Sequence, residues 1–163
     1  VGSVLAEKKD VVLVAPDSSL LQALAKLVPL TMALTFGKSV VNVTSEDLLF
    51  WRLQSGVAQD AETFQMLVGG SEILVWENIT AMPGVRKVEG RVSRLLASRG
   101  EKGGVTMVTA LSDMREDETD LMDAFWSEVE SLHGRSVSSY LESFKVISIS
   151  YKRRPARVER WVV

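Results

Sequence analysis

The chain has 163 residues, 46% of them apolar and 7% aromatic, enough for one compact domain or two small ones and too apolar for a disordered segment. Nineteen basic and 21 acidic side chains leave a net charge of −2, which argues against nucleic-acid binding by bulk charge. The absence of Cys and the presence of a single His, His133, exclude disulfides, thiolate nucleophiles, zinc fingers, iron–sulfur clusters and histidine-rich metal centres.

No basic segment followed by an apolar block opens the sequence, so no secretory leader is expected. Val11-Val12-Leu13-Val14 reads as the first strand, its unbroken apolar run suiting a strand covered on both faces. Ser19-Leu20-Leu21-Gln22 forms a capping box and opens a helix with Leu20, Leu24, Leu27 and Val28 at helical spacing. Pro29 is expected to kink or shorten that helix, and Gly37 to stop it. The uncharged stretch 27–37 spans eleven residues around Pro29, against about twenty for a membrane-spanning helix. The chain therefore reads as soluble and intracellular.

Val40-Val41-Asn42-Val43 is a second strand, and Thr44-Ser45-Glu46-Asp47 a second capping box leading a helix through Leu48, Trp51 and Leu53 to Gly56. Ile73-Leu74-Val75-Trp76 and Val105-Thr106-Met107-Val108 read as further covered strands, and 146–151 as a half-exposed one. Between them lie a helix with Val85, Val88, Val92, Leu95 and Leu96, and another from Thr119 through Phe125 and Val129 to Gly134. Gly134-Arg135-Ser136-Val137 reads as a strand start, and Ser139-Tyr140-Leu141-Glu142 as a third capping box. Strands alternating with helices predict an α/β fold with parallel strands.

Two stretches echo each other. Strand, helix, Gly37-Lys38-Ser39-Val40 and a Ser-rich capped helix recur as strand, helix, Gly134-Arg135-Ser136-Val137 and a second capped helix, with the strand starts 94 residues apart and the glycines 97 apart. The echo predicts two small parallel-sheet domains in tandem, 1–68 and 69–163, the first short of its own opening strand because ten residues precede Val11.

A strand ending in Leu-Val-Ala-Pro, a GKSVV-like strand and the segment 43–67, with Trp51 and Phe64 near the expected aromatic places and Tyr140 in the second copy, resemble a tandem BRCT module. The resemblance implies a phosphorylation-dependent interaction module. It would bind a phosphoserine or phosphothreonine segment of a partner in a nuclear, chromosome-associated scaffold of repair, checkpoint or kinetochore type. It also implies a phosphate site, for which Ser18, Ser19 and Lys26 are the best matches, although the two serines also read as plain helix caps.

Lys152, Arg153 and Arg154, with Arg157 and Arg160, form a basic strip that fits acidic peptide or nucleic-acid phosphates, or simply protects a strand edge. The acidic run from Asp113 to Asp120 reads as a solvated loop into a helix rather than a metal site, and His133 as a cation at a helix carboxyl end. Trp76, Phe125 and Trp126 read as core. No cofactor is implied, and with no nucleophile–base pair in view the chain is expected not to be an enzyme.

A second reading takes the same strands as one RecA-like core. Glu72-Ile73-Leu74-Val75-Trp76-Glu77-Asn78 resembles that fold's acid-ending strand, but Ala15-Pro16-Asp17-Ser18-Ser19 has neither the glycines nor the Lys of a phosphate loop. Gly37-Lys38-Ser39 precedes a strand, where it cannot cradle phosphate. On this reading the chain resembles catalytically inert assembly subunits such as the Elongator accessory subunits.

Overall fold

Every residue of Val11–Ala15 is buried, and hydrogen-bonded neighbours flank this strand on both sides. A computed structural model describes residues 7, 9–53, 58–113 and 119–149, the side chains of 52–61 excepted. In it β1 (Val11–Ala15), β2 (Val40–Val43), β3 (Ile73–Trp76), β4 (Val105–Leu111) and β5 (Lys145–Ser148) form a single parallel sheet in the order β2-β3-β4-β1-β5. Val11 pairs with Met107 on one side and Lys145 on the other, and Ile73 lies between Val40 and Val105.

The α/β class and the parallel strands are as expected, but the tandem arrangement is not. One sheet takes β1 and β2 from residues 1–68 and β3, β4 and β5 from 69–163, and it fits the single-core alternative. The echo fails at its second glycine. Gly37, at φ 64, caps a helix and leads to β2, whereas Gly134 leads into a helix, α6 (Arg135–Leu141). Val137, Ser138 and Leu141 are buried at helical spacing, so packing turns this Gly-basic-Ser-Val segment into a helix.

The two faces of the sheet are covered unequally. On one face β1, β3 and β4 present Val11, Val75 and Met107 to α1 (Ser18–Phe36). On the other, Val12, Val14, Leu74, Trp76 and Val108 meet α2 (Ser45–Leu53), α3 (Ala58–Gly70), α4 (Glu89–Glu101), α5 (Thr119–His133) and α6. Burying some twenty apolar side chains in this second cluster supplies the main driving force for folding.

α1 runs straight through Pro29 rather than ending there. A proline at this position cannot donate to the Ala25 carbonyl one turn back. The Asn42 side-chain amide on β2 donates to that oxygen instead, at 3.4 Å. Helix α1 is long and apolar enough to cross a bilayer by length and composition, but Leu21, Ala25 and Met32 hold it against the sheet. The second capping box is present in full: Asp47 N–H donates to Thr44 Oγ1 at 3.2 Å and Thr44 N–H to Asp47 Oδ2 at 2.7 Å.

His133 is a buried clasp rather than a cation at a helix end. Its Nε2–H donates to the Ile79 carbonyl, and its Nδ1 accepts from Val85 N–H at 3.3 Å. The ring meets Trp76 edge-on at 5.0 Å. Gly84 lies so close to this junction that a Cβ there would come within 2.0 Å of the Leu132 carbonyl oxygen. Burial holds the imidazole below its ordinary value of 6.5.

The unfolded chain therefore takes up this proton before the folded one does. The stability it confers is complete above about pH 6.5 and is lost as pH falls below that value. Chemical denaturation should show a stability loss between pH 7.5 and 5.5 that is smaller in His133→Leu. That variant should also be weaker at pH 7.5 by about 2–4 kcal/mol, because it strands the Ile79 oxygen and the Val85 N–H.

Candidate functional site

In an open parallel sheet, ligands gather at the carboxyl ends of the strands where successive connections leave on opposite faces. Here α1 leaves β1 across one face, while α5 and α6 leave β4 across the other. The crevice above β1 and β4 is therefore the first place to look. Beside it, above the carboxyl ends of β2, β3 and β4, a cavity of about 260 Å³ has Ser18, Gln22, Ser45, Glu46, Glu77 and Thr109 among the residues around it.

The sequence makes this crevice acidic. Only Pro16 and Asp17 separate β1 from α1. Asp17 caps α1, its Oδ1 accepting from Ser19 N–H at 2.7 Å and Leu20 N–H at 3.1 Å. These amides are the groups with which a helix start binds phosphate, and a carboxylate of the chain itself already holds them. Across the crevice, Glu77 continues β3 and accepts from Asn42 Nδ2 at 2.7 Å. Asn78 follows at φ 48, its N–H bonded to Thr109 Oγ1 at 2.8 Å. No Lys, Arg or His lines the cavity among the described residues.

The matches for a phosphate site are not brought together as a cradle. Ser18 and Ser19 are exposed in the first turn of α1, where the cap is Asp17 rather than the expected Ser19. Lys26 is exposed seven residues beyond Ser19, about 10 Å further along the helix axis. Gly37-Lys38-Ser39 lies at the opposite, amino edge of the sheet. Lys38 forms an ion pair with Glu72, whose second oxygen accepts from Ser39 N–H at 3.1 Å. Lys152, Arg153, Arg154, Arg157, Arg160 and residues 114–118 of the acidic run lie outside the described residues. Among the described residues no group of three or more His, Cys, Asp or Glu side chains could hold a metal.

A second concavity, of about 1160 Å³, opens between α3 and α4 near the amino edge. Arg91 and Arg94 on α4 and Lys102 just past its end, all exposed, line it together with Glu62 and Glu72. Arg91 and Arg94 stand about one turn apart on one side of α4, and Lys102 follows at its carboxyl end. Arg99, fully buried, closes the floor. Its Nη1 donates to Val68 O, to Ser71 O and to Ser71 Oγ, and its Nη2 to Val105 O at 3.1 Å. Its Nε has no partner among the described residues. Burial draws the guanidinium below its ordinary value, opposed by the nearby Asp10 carboxylate.

Sequence reading missed Asp17, Asn42 and this stripe. The spacing of Arg91, Arg94 and Lys102 was visible, but which side of α4 it occupies depends on the packing of Val92, Leu95 and Leu96.

No family model matches the chain, and no curated protein does. Solved structures do. A DnaC helicase loader superposes with TM-score 0.68 at 18% identity, covering 88% of this chain and 80% of that one. Domain III of the Thermotoga maritima replication initiation protein DnaA superposes with TM-score 0.69 at 11% identity, over 91% of this chain and 60% of that one. A DnaA bound to AMPPCP and single-stranded DNA gives 0.65 at 9%, over 92% and 44%. The chain thus spans less than two thirds of both initiator chains.

At these identities the likeness establishes the fold alone, and it corrects the tandem BRCT resemblance. The neighbours are a helicase loader and replication initiators, and this chain forms one sheet, so the phosphopeptide-reader function and the repair, checkpoint or kinetochore setting fall with the duplicated domains. Trp51, stacked on Phe64 at 5.3 Å, and Tyr140, donating to Leu96 O at 3.0 Å, are packing contacts of the single domain.

Replacing Asp17 by Ala removes the α1 cap. Thermal or urea unfolding of Asp17→Ala should show a loss of about 1 kcal/mol, largely restored in Asp17→Asn, which keeps the acceptor without the charge.

Proposed function

We propose that the chain is a RecA-like domain of the AAA+ type that works without nucleotide, an assembly or loading subunit whose output is binding rather than hydrolysis. The two-residue step from β1 to α1 carries this reading. It leaves no room for a phosphate-enclosing loop, and Asp17 occupies the amides such a loop would offer. A triphosphate entering the crevice would meet Glu46 and Glu77 with no cation among the described lining residues to offset them. The likeness to a helicase loader and to replication initiators supports an assembly role of that kind.

A specific observation favours nucleic acid as one partner. The Arg91, Arg94 and Lys102 stripe in the α3–α4 cleft suits an extended polyanion better than a single phosphate, and a solved initiator of this fold is bound to single-stranded DNA. The overall charge of −2 does not oppose this, because these cations are gathered around one cleft.

Two measurements test these readings. Calorimetry and thermal shift with magnesium ATP or ADP at about 1 mM should show no saturable heat and no rise in Tm. A dissociation constant below about 100 μM would raise stability measurably and overturn the nucleotide-free reading. Fluorescence anisotropy with a single-stranded oligonucleotide at low salt should show binding that Arg91→Ala/Arg94→Ala/Lys102→Ala weakens about tenfold or more. The slope of log affinity against log salt should become shallower by about 2, at roughly 0.7 per lost contact. Equal binding by both proteins would remove the cleft from the interface.

A further inference from the structure

Helix α1 carries a second apolar face. Leu21, Ala25 and Met32 are buried against the sheet. On the opposite side Leu20, Ala23, Leu27, Leu30 and Leu34 follow one another at intervals of three, four, three and four residues. Leu27, Leu30 and Leu34 are 59%, 53% and 78% exposed, and Phe36 just beyond them is 57% exposed. A helix with two apolar faces calls for cover on both, and among the described residues only the sheet side of α1 is covered.

The spacing is that of a coiled-coil seam, with Leu20, Leu27 and Leu34 in one register and Ala23 and Leu30 in the other. A flat apolar patch would suit many occupants, but alternating three-and-four spacing suits another helix. We propose that the occupant is α1 of a second copy of this chain, packed antiparallel about a two-fold axis.

The seam is self-complementary in that arrangement. Leu27 of each copy faces Leu30 of the other, and the small Ala23 faces the most exposed residue, Leu34, so knobs meet spaces at four successive levels. Antiparallel packing also sets the two helix dipoles head to tail. Between residues 18 and 36 the only charge is Lys26, so the helix offers no charge pattern to select an oppositely charged partner. A lipid surface fits less well, because membrane-surface helices carry many Lys or Arg residues on the polar face and α1 has one Lys.

The area sets the strength. A paired helix of this length buries about 500 Å² per copy, near 1,000 Å² in all, the lower edge of specific association, which suits a weak and concentration-dependent dimer. The inference is independent of the nucleotide and nucleic-acid readings, since α1's outer face belongs to neither concavity.

Sedimentation velocity on the whole chain from about 2 to 200 μM tests it. The mass should rise from monomer to dimer over this range, and Leu30→Glu/Leu34→Glu should stay monomeric throughout, with Tm unchanged because both side chains are solvent-exposed. The chain has no Cys, so an equimolar mixture of Leu27→Cys and Leu30→Cys variants should oxidise to the mixed disulfide in preference to either self-disulfide. A wild-type chain that is monomeric at 200 μM would overturn the proposal. So would a dimer that survives the two glutamates, or a chain that stays monomeric yet cosediments with vesicles of anionic phospholipid.

Discussion

The step from β1 to α1 constrains everything above the sheet. β1 is the most deeply buried strand, and α1 must start two residues after it ends. The free N–H groups at a helix start require acceptors. A long glycine-rich loop would leave them for a ligand, whereas a short acidic one satisfies them internally. Asp17 does the latter, and so the carboxyl edge, where this architecture concentrates its chemistry, becomes anionic and self-bonded. The other open surfaces among the described residues are the α3–α4 cleft and the outer face of α1.

The same helix shows how one irregular residue is absorbed by its neighbours. Pro29 frees the Ala25 carbonyl, and Asn42 donates to it with one amide hydrogen while giving the other to Glu77. Asn42 is exposed on the edge strand β2 and reaches both acceptors from there. In this place it ties α1, β2 and the end of β3 together, which holds the acidic crevice in shape. A break in α1 is avoided because β2 supplies the bond that the helix lost.

Two buried polar side chains fasten the edges of the other layer. Arg99 gathers the end of α3 and the starts of β3 and β4, and His133 fastens α5 to the loop that follows β3. Each bonds mainly to backbone carbonyls or amides, so each is specified by where segments converge rather than by a partner side chain. Arg99 also supplies the floor beneath the three exposed cations of the cleft, linking the stability of that edge to the cleft's shape.

Local signals were legible wherever local energies decide. Four strands were visible as short apolar runs rich in β-branched residues, and the Thr44–Asp47 box and the Gly37 stop were visible because each acts within a few residues. The buried face of α1 was not legible, since apolar residues surround that helix and only contact with the sheet chose Leu21, Ala25 and Met32 over Leu27, Leu30 and Leu34. Nor was the fate of Gly134-Arg135-Ser136-Val137, which matches Gly37-Lys38-Ser39-Val40 in wording but becomes helical because Val137, Ser138 and Leu141 are buried together. By itself the sequence determined an α/β chain with apolar central strands and a β1–α1 step that lacks the glycines and lysine of a phosphate loop. Only the tertiary structure decided that β1 sits between β4 and β5 in a single sheet. Pairing Val11 with Met107 joins residues more than ninety positions apart, and hydrogen bonds at that separation leave no trace in local spacing.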